Sequence, residues 1–236
     1  MQVSTLPILV LVIFGLAWYQ TTRLYRLGSL KRSERNWLSL VLAALLIWGF
    51  YVGYQSSRGV FGTADFISLM PGYWLPLVPV VVVSFMLLLA PALRRALRTL
   101  VDETPHYWLS GIHMLRILAI GSLIKASMGE FPEKFAWFVG GPDLLFGLSA
   151  VVVTIMLRQR WLDERFMLPW NLLGSLVILL PVFGLMHLFM QETLFRELFA
   201  YPMVLAPALV VPTMVMVNLM VAGRLLEKRI SGPGGI

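Results

Sequence analysis

The 236-residue sequence contains no cysteine. Disulfide bonds, thiolate metal sites, covalent attachment of c-type haem and a catalytic thiol are therefore excluded, while the redox compartment stays undetermined. Charged residues are also scarce, at 13%, whereas hydrophobic residues reach 58%. A soluble domain carries about 25% charged residues and could not cover its surface with so few. We therefore expect an integral membrane protein.

Recognisable enzyme signatures are missing as well. The chain has no H-E-x-x-H, no G-x-S-x-G and no Gly-rich phosphate loop ending in Lys-Ser or Lys-Thr. Two of its histidines, His113 and His187, lie at different expected depths and cannot share a haem. The sequence thus indicates no catalytic residue and no cofactor, and it leans away from an enzyme without deciding the point.

One small group of polar residues has two interpretations. Asp102, Glu103 and His106 lie within five positions of one another. They could bind a divalent cation, or they could form an acidic cap at the N-terminus of a helix. We favour the cap, so no metal site is predicted.

Seven apolar stretches are long enough to cross a bilayer, which requires about 20 residues. They predict an all-α bundle of seven transmembrane helices that contacts membrane lipids. We expect the first stretch to be a span and not a cleaved signal, because no basic residue precedes it. The loops are short, so residues 1–236 are predicted to form one transmembrane domain. The expected spans are residues 4–22, 37–54, 73–93, 107–128, 136–157, 168–190 and 201–223.

The positions of the basic residues predict the orientation. Of the 19 lysines and arginines, 14 lie in the first, third and fifth loops and the C-terminal tail, and 3 lie in the other loops. Because cytoplasmic loops are enriched in these residues, the N-terminus should be outside and the C-terminus cytoplasmic. The net charge of +7 is then a topology signal with some attraction to anionic lipid, and no nucleic-acid partner is expected.

Ionisable side chains inside the predicted spans are the candidate site residues, because each costs on the order of 3 kcal/mol in hydrocarbon. Arg116 lies close to the middle of the fourth span, and His113 shares its helical face. His113 could report pH. Lys125, nine positions after Arg116, should point the other way and reach water at the outer surface, so it is not assigned to the site.

The fifth span contains Gly140-Gly141-Pro142 followed by Asp143. Glycine and proline can interrupt a helix, and proline and an acid are favoured where a helix restarts. The pattern indicates a hinge and a fifth helix that is discontinuous there, as in some ligand sites of transporters. Asp143 is the natural partner of Arg116, and the pair would either fix two helices or line a ligand cavity.

The same segment resembles a set of uncharacterised bacterial polytopic membrane proteins. These share an arginine-containing helix, a G-x-x-P-x-x-F-A turn and a G-x-x-D-x-x-x-G restart. The matching residues here are Arg116, Gly129, Pro132, Phe135, Ala136, Gly140, Asp143 and Gly147. The resemblance implies a multi-pass protein of the bacterial cytoplasmic (inner) membrane with no assigned activity.

Two functions remain open from the sequence. In the first, the protein binds or transports a small polar, anionic or lipid-like ligand between the fourth and fifth helices, held by Arg116, Asp143 and His113. In the second, it is a structural or interaction subunit of a membrane complex, with a membrane-protein partner or a second copy of itself, and the ion pair serves only folding.

Overall fold

The structure, a computed structural model, describes residues 5–231 of the chain. It is 84% helical, and the described residues contain no β-strand. Within them, seven helices are long and apolar enough to span a membrane. The all-α, seven-helix prediction is confirmed.

Eight helices are numbered here in chain order, seven spans and one surface helix. They are α1 Leu6–Arg26, α2 Arg32–Ser57, α3 Pro71–Leu89, α4 Pro91–Glu103, α5 His106–Ser127, α6 Glu133–Arg158, α7 Glu164–Gly184 and α8 Ala206–Ser231. Shorter helical segments lie in the connections, at Val60–Gly62, Ala64–Ser68, Met186–Phe189 and Phe195–Phe199.

Consecutive spans are antiparallel, which gives the bundle two distinct ends. We call the end at which α1, α3, α6 and α8 begin the N-terminal face. The opposite end, which carries α4 and the starts of α2, α5 and α7, is the basic face. Among the spans, α5 packs most extensively on α6, and α7 packs most extensively on α8.

The bounds of several predicted spans need correction or comment. The second runs over Arg32–Ser57 and not over 37–54, and the seventh over Ala206–Ser231 and not over 201–223. The first was predicted from residue 4, which lies outside the described residues. The third ends at Leu89 and not at 93, because the residue before a proline favours extended backbone, and Ala90 adopts φ −119° and ψ 92° before Pro91. The sixth ends at Gly184 and not at 190, with Pro181 in its last turn.

Helix α4 lies between α3 and α5, in a segment that the hydropathy pattern predicts to be a loop. Leu93, Ala96 and Val101 are buried on one of its faces, against α1, α2 and α8, while Arg94 and Arg98 are exposed. Its 13 residues are too few to span a bilayer. The helix is amphipathic and covers the basic face of the bundle, so its arginines point away from the core.

The predicted break at Gly140-Gly141-Pro142 is wrong, because α6 runs through these residues without interruption. A π-helical turn, Ala136–Gly140, precedes Gly141, whose N–H donates to the carbonyl of Ala136. Proline has no N–H, and its ring clashes with the carbonyl four residues earlier in an α-helix. The wider π turn makes room for the proline ring, so the helix widens at these residues and is not interrupted.

Candidate functional site

The structure confirms the predicted ion pair between Arg116 of α5 and Asp143 of α6. The Nε of Arg116 donates to the Oδ1 of Asp143, and one Nη donates to the carbonyl of Gly174 in α7 at 3.0 Å. The guanidinium also lies over the ring of Phe146, 4.3 Å from its centroid. One arginine therefore connects three spanning helices.

Both charged groups lie far from either face of the bundle. Arg116 is 11 residues from Ser127, which is about 16 Å along a helix. Asp143 is 10 residues from Glu133, or about 15 Å. The side chain of Arg116 is 2% exposed and that of Asp143 is 15% exposed. Because both side chains are largely buried at this depth, each is the main stabilising partner of the other.

Close packing of α5 on α6 sets the position of the pair. A Cβ added to Gly147 would lie 2.6 Å from the backbone nitrogen of Ile117 and 2.9 Å from the carbonyl carbon of Arg116. Only glycine permits this approach of two backbones. On the α5 side, Ile112–Ala119 forms a 3₁₀ segment, which has about 3.0 residues per turn and is unusual at this length.

A cavity of about 320 Å³ borders the ion pair, at the lower end of the range of about 300–1,000 Å³ typical of ligand sites. It extends from the pair towards the N-terminal face, between the halves of six spanning helices nearest that face. Most of its wall is apolar, formed by residues such as Leu9, Val80, Val139, Ile178, Val210 and Met214. Of the lining residues, three are charged: Arg116, Lys125 and Asp143.

Lys125 is predicted to point away from Arg116, yet its side chain lines the cavity. A regular α-helix would turn it by about 180° from Arg116 over nine residues. In the 3₁₀ stretch after Arg116 each residue turns the helix by about 20° more than in an α-helix, which adds about 80° over four residues. The side chains of Arg116 and Lys125 are therefore only about 100° apart around the helix axis. Lys125 is half-buried, and no ion pair or hydrogen bond to its side chain occurs within residues 5–231.

His113 is completely buried and does not line the cavity. Its ring lies edge-on to Phe146 and Trp170, with centroid distances of 5.8 and 5.6 Å. Neither ring nitrogen has a hydrogen-bond partner in the described part of the chain. His113 and Arg116 thus contact the same phenylalanine, but the aromatic rings enclose the histidine.

Two buried asparagines, Asn171 and Asn218, lie near the ion pair but do not line the cavity. Both are 0% exposed. Asn171 donates to the carbonyl of Met167 at 2.7 Å, but its Oδ1 has no partner in residues 5–231, nor has either amide atom of Asn218. Asn218 packs against Gly174, where an added Cβ would lie 2.7 Å from its Nδ2.

Asp102, Glu103 and His106 do not form the helix cap that was expected. Asp102 and Glu103 end α4, and Asp102 pairs with Arg224 and Lys228 of α8, each at 2.7 Å. Partial burial raises the pKa of Asp102, but hydrogen bonds from Arg224 and Lys228 outweigh it and hold the pKa below its ordinary value of 3.8. His106 instead faces Glu164 at 3.3 Å. The ion pairs of Asp102 thus join α4 to the C-terminal end of α8.

The chain belongs to the family described as domain of unknown function DUF8737, whose model matches residues 73–226. This match covers α4 to α7 in full and most of α3 and α8, and it includes both members of the ion pair. Membership of an uncharacterised family agrees with the resemblance stated above. No curated protein and no solved structure matches the chain.

Proposed function

We propose that this membrane protein binds a small amphipathic anion in the cavity beside Arg116 and Asp143, as the substrate site of a carrier. The observation that supports the proposal most directly is the cavity itself, an apolar space that ends at a buried ion pair. An apolar wall suits a hydrocarbon body, and a guanidinium suits an oxyanion head such as a carboxylate or phosphate.

The charges of the lining favour an anion. Arg116 and Lys125 are cations and Asp143 is a carboxylate, so the cavity carries one surplus positive charge. Lys125 is closer to the N-terminal face than Arg116, by about 13 Å along the helix. In surroundings of low dielectric this surplus charge attracts anions and disfavours cations. Lys125 would receive the head first, and Arg116 would hold it at depth.

The packing of α5 supports a ligand that arrives from the lipid. Its segment Ile120–Ser127 contains no buried residue, and its main contacts are with α6. This segment of α5 therefore packs only loosely on the side of the cavity that faces α1 and α3. An amphiphile could enter sideways from the bilayer while its charged head stays near the N-terminal face.

A second function is favoured by a different observation. Arg116 joins α5, α6 and α7 through Asp143, Phe146 and the carbonyl of Gly174. Such a contact could serve assembly of the bundle alone, in a structural subunit of a membrane complex or a homo-oligomer. In that case no anion would bind in the cavity.

We extend the proposal to topology and location. With 14 of 19 basic residues at the basic face or in the tail, that face should be cytoplasmic and the N-terminal face should be outside. The whole chain would be one transmembrane domain of a bacterial inner membrane, and the cavity would then lie in the outer half of the bilayer. A protease-accessible tag after residue 231, cut only from the cytoplasmic side, would support this orientation.

Binding can be tested with radiolabelled decane-1-sulfonate, an amphiphile with a permanent negative charge. The protein is placed in zwitterionic lipid nanodiscs, and empty nanodiscs correct for partition into lipid. We expect saturable binding, with decanol and decyltrimethylammonium competing at least about tenfold more weakly, which is a difference of about 1.4 kcal/mol. Equal competition by the cation, or no signal above empty nanodiscs, would contradict the proposal.

A pair of charge variants provides the matched control. Lys125→Gln removes the cation that lines the cavity, and Lys134→Gln removes one from an exposed position near the same face. We expect the first to weaken binding by about 3- to 10-fold, since one partly buried charge contributes about 1 kcal/mol, and the second to leave it unchanged. Competition by unlabelled decanoate and decyl phosphate then separates a carboxylate ligand from a phosphate ligand.

A further inference from the structure

We infer that the anion displaces Asp143 from Arg116 and that each binding event takes up one proton onto that carboxylate. The inference rests on the proposed function and specifies how the site works. It would make the protein a proton-coupled carrier, in which substrate and proton travel together.

The unequal exposure of the two groups is the first observation. Both line the cavity, but the side chain of Asp143 is 15% exposed and that of Arg116 only 2%. The carboxylate is therefore more accessible than the guanidinium that an anion must reach. Two negative groups at this depth repel each other strongly, so the anion cannot reach Arg116 while Asp143 keeps its charge.

The hydrogen bonds of the pair give the second observation. Arg116 uses Nε for Asp143 and one Nη for Gly174, while its other Nη is buried without a partner in the described residues. The carboxylate of Asp143 has Arg116 as its only partner in that part of the chain. A protonated Asp143 would release Nε and leave two donors for the oxygens of an incoming head.

Charge balance explains why a proton must accompany the anion. Before binding, the charges of Arg116 and Asp143 cancel at the deep end of the cavity, and the surplus charge of Lys125 lies about 13 Å away along the helix. With the anion at Arg116 and Asp143 still ionised, the deep end of the cavity would carry a net negative charge in hydrocarbon, which is costly. One proton on the carboxylate restores neutrality, because the anion then replaces Asp143 as the counter-ion of Arg116.

Few other groups could supply this pH dependence. On α5 the titratable neighbours are His113, which is enclosed by aromatic rings, and Lys125, which lies about 13 Å further along. Asp143 is the titratable residue that α6 contributes to the lining, and α1, α3, α7 and α8 contribute none to it. A proton taken up on binding would thus be placed on Asp143.

The experiment uses the same decane-1-sulfonate, which does not titrate, in weakly buffered nanodiscs with a pH-sensitive dye in solution. Wild type should take up close to one proton per bound sulfonate. Its Kd should rise up to tenfold per pH unit across the range in which the free protein has Asp143 ionised, because binding is linked to one proton. Asp143→Asn should bind at least as tightly, take up no proton, and show a Kd that hardly changes with pH.

The results distinguish a failure of the proton coupling from a failure of the proposed anion binding. Binding by wild type without proton uptake, and with a Kd constant within about twofold from pH 5.5 to 7.5, would overturn the coupling and leave the binding site standing. No binding by wild type at any pH would overturn the proposed function itself. The wild-type measurements need no variant, so a poorly folded Asp143→Asn protein would not prevent a decision.

Discussion

Replacing Arg116 by methionine should destabilise the bundle markedly while Asp143 is left in place. The substitution leaves a carboxylate that is 15% exposed without its partner, and the carbonyl of Gly174 loses its side-chain donor. Removing one member of a buried ion pair costs about 3–5 kcal/mol. Protonation of the abandoned carboxyl limits the loss, so we expect about 3 kcal/mol for Arg116→Met.

The opposite single variant should be worse. Asp143→Asn leaves a guanidinium that cannot be deprotonated and whose side chain is 2% exposed, so about 5 kcal/mol is expected. The double variant Arg116→Met/Asp143→Asn leaves no buried charge at the pair. It should be more stable than either single variant and within about 2 kcal/mol of wild type.

These stabilities can be measured by unfolding in mixed micelles with increasing dodecyl sulfate, followed by tryptophan fluorescence. A double variant less stable than both single variants would show additive effects and would refute the idea that the two charges stabilise each other. The double variant also tests whether the ion pair takes part in binding. If it is folded and no longer binds decane-1-sulfonate, the guanidinium is part of a ligand site; if it is folded and binds like wild type, the pair serves packing only.

Two further predictions concern the surroundings of the site. Gly147→Ala should lower stability by about 1–3 kcal/mol in the same assay, because its Cβ would overlap the α5 backbone, whereas Gly15→Ala, with open space at its Cβ, should not. The pKa of Asp102 is lowered in the folded protein, so its pairing stabilises the fold above the unfolded pKa, and this stabilisation is lost as the pH falls through the lower folded pKa. Thermal unfolding between pH 3 and 7 should therefore show a smaller acid loss for Asp102→Asn than for wild type; equal losses would contradict the assignment.

The number of spans and the ion pair were predicted correctly from the sequence. The first depends on the mean hydropathy of long segments, and the second on the cost of an unpaired charge in hydrocarbon. Seven spans follow from apolar length, which the thickness of the bilayer determines almost alone. The pairing of Arg116 with Asp143 follows because a buried cation in hydrocarbon requires a counter-charge, and few acids lie at membrane depth. Both inferences need only composition and approximate depth.

The features that were missed depend on local backbone geometry. Helix α4 is not predicted from apolar length because 13 residues with three arginines do not resemble a span, although Leu93, Ala96 and Val101 recur at helical spacing. That spacing could have been noticed. The 3₁₀ segment Ile112–Ala119 has no comparable signal, because it arises where α5 meets Gly147 of another helix.

The π turn in α6 and the 3₁₀ segment in α5 together explain why a spacing of 3.6 residues per turn does not predict which charged side chains line the cavity. A π turn adds one residue to a turn, so the helix that follows is rotated by about 100° relative to an unbroken α-helix. The turn at Ala136–Gly140 ends three residues before Asp143, and so it determines which way that carboxylate points. A second π turn, Ala206–Val210, precedes Pro212 in α8 and also borders the cavity. Since the 3₁₀ stretch likewise turns Lys125 towards the cavity, the charged lining is produced by departures from the 3.6-residue repeat and not by the repeat itself.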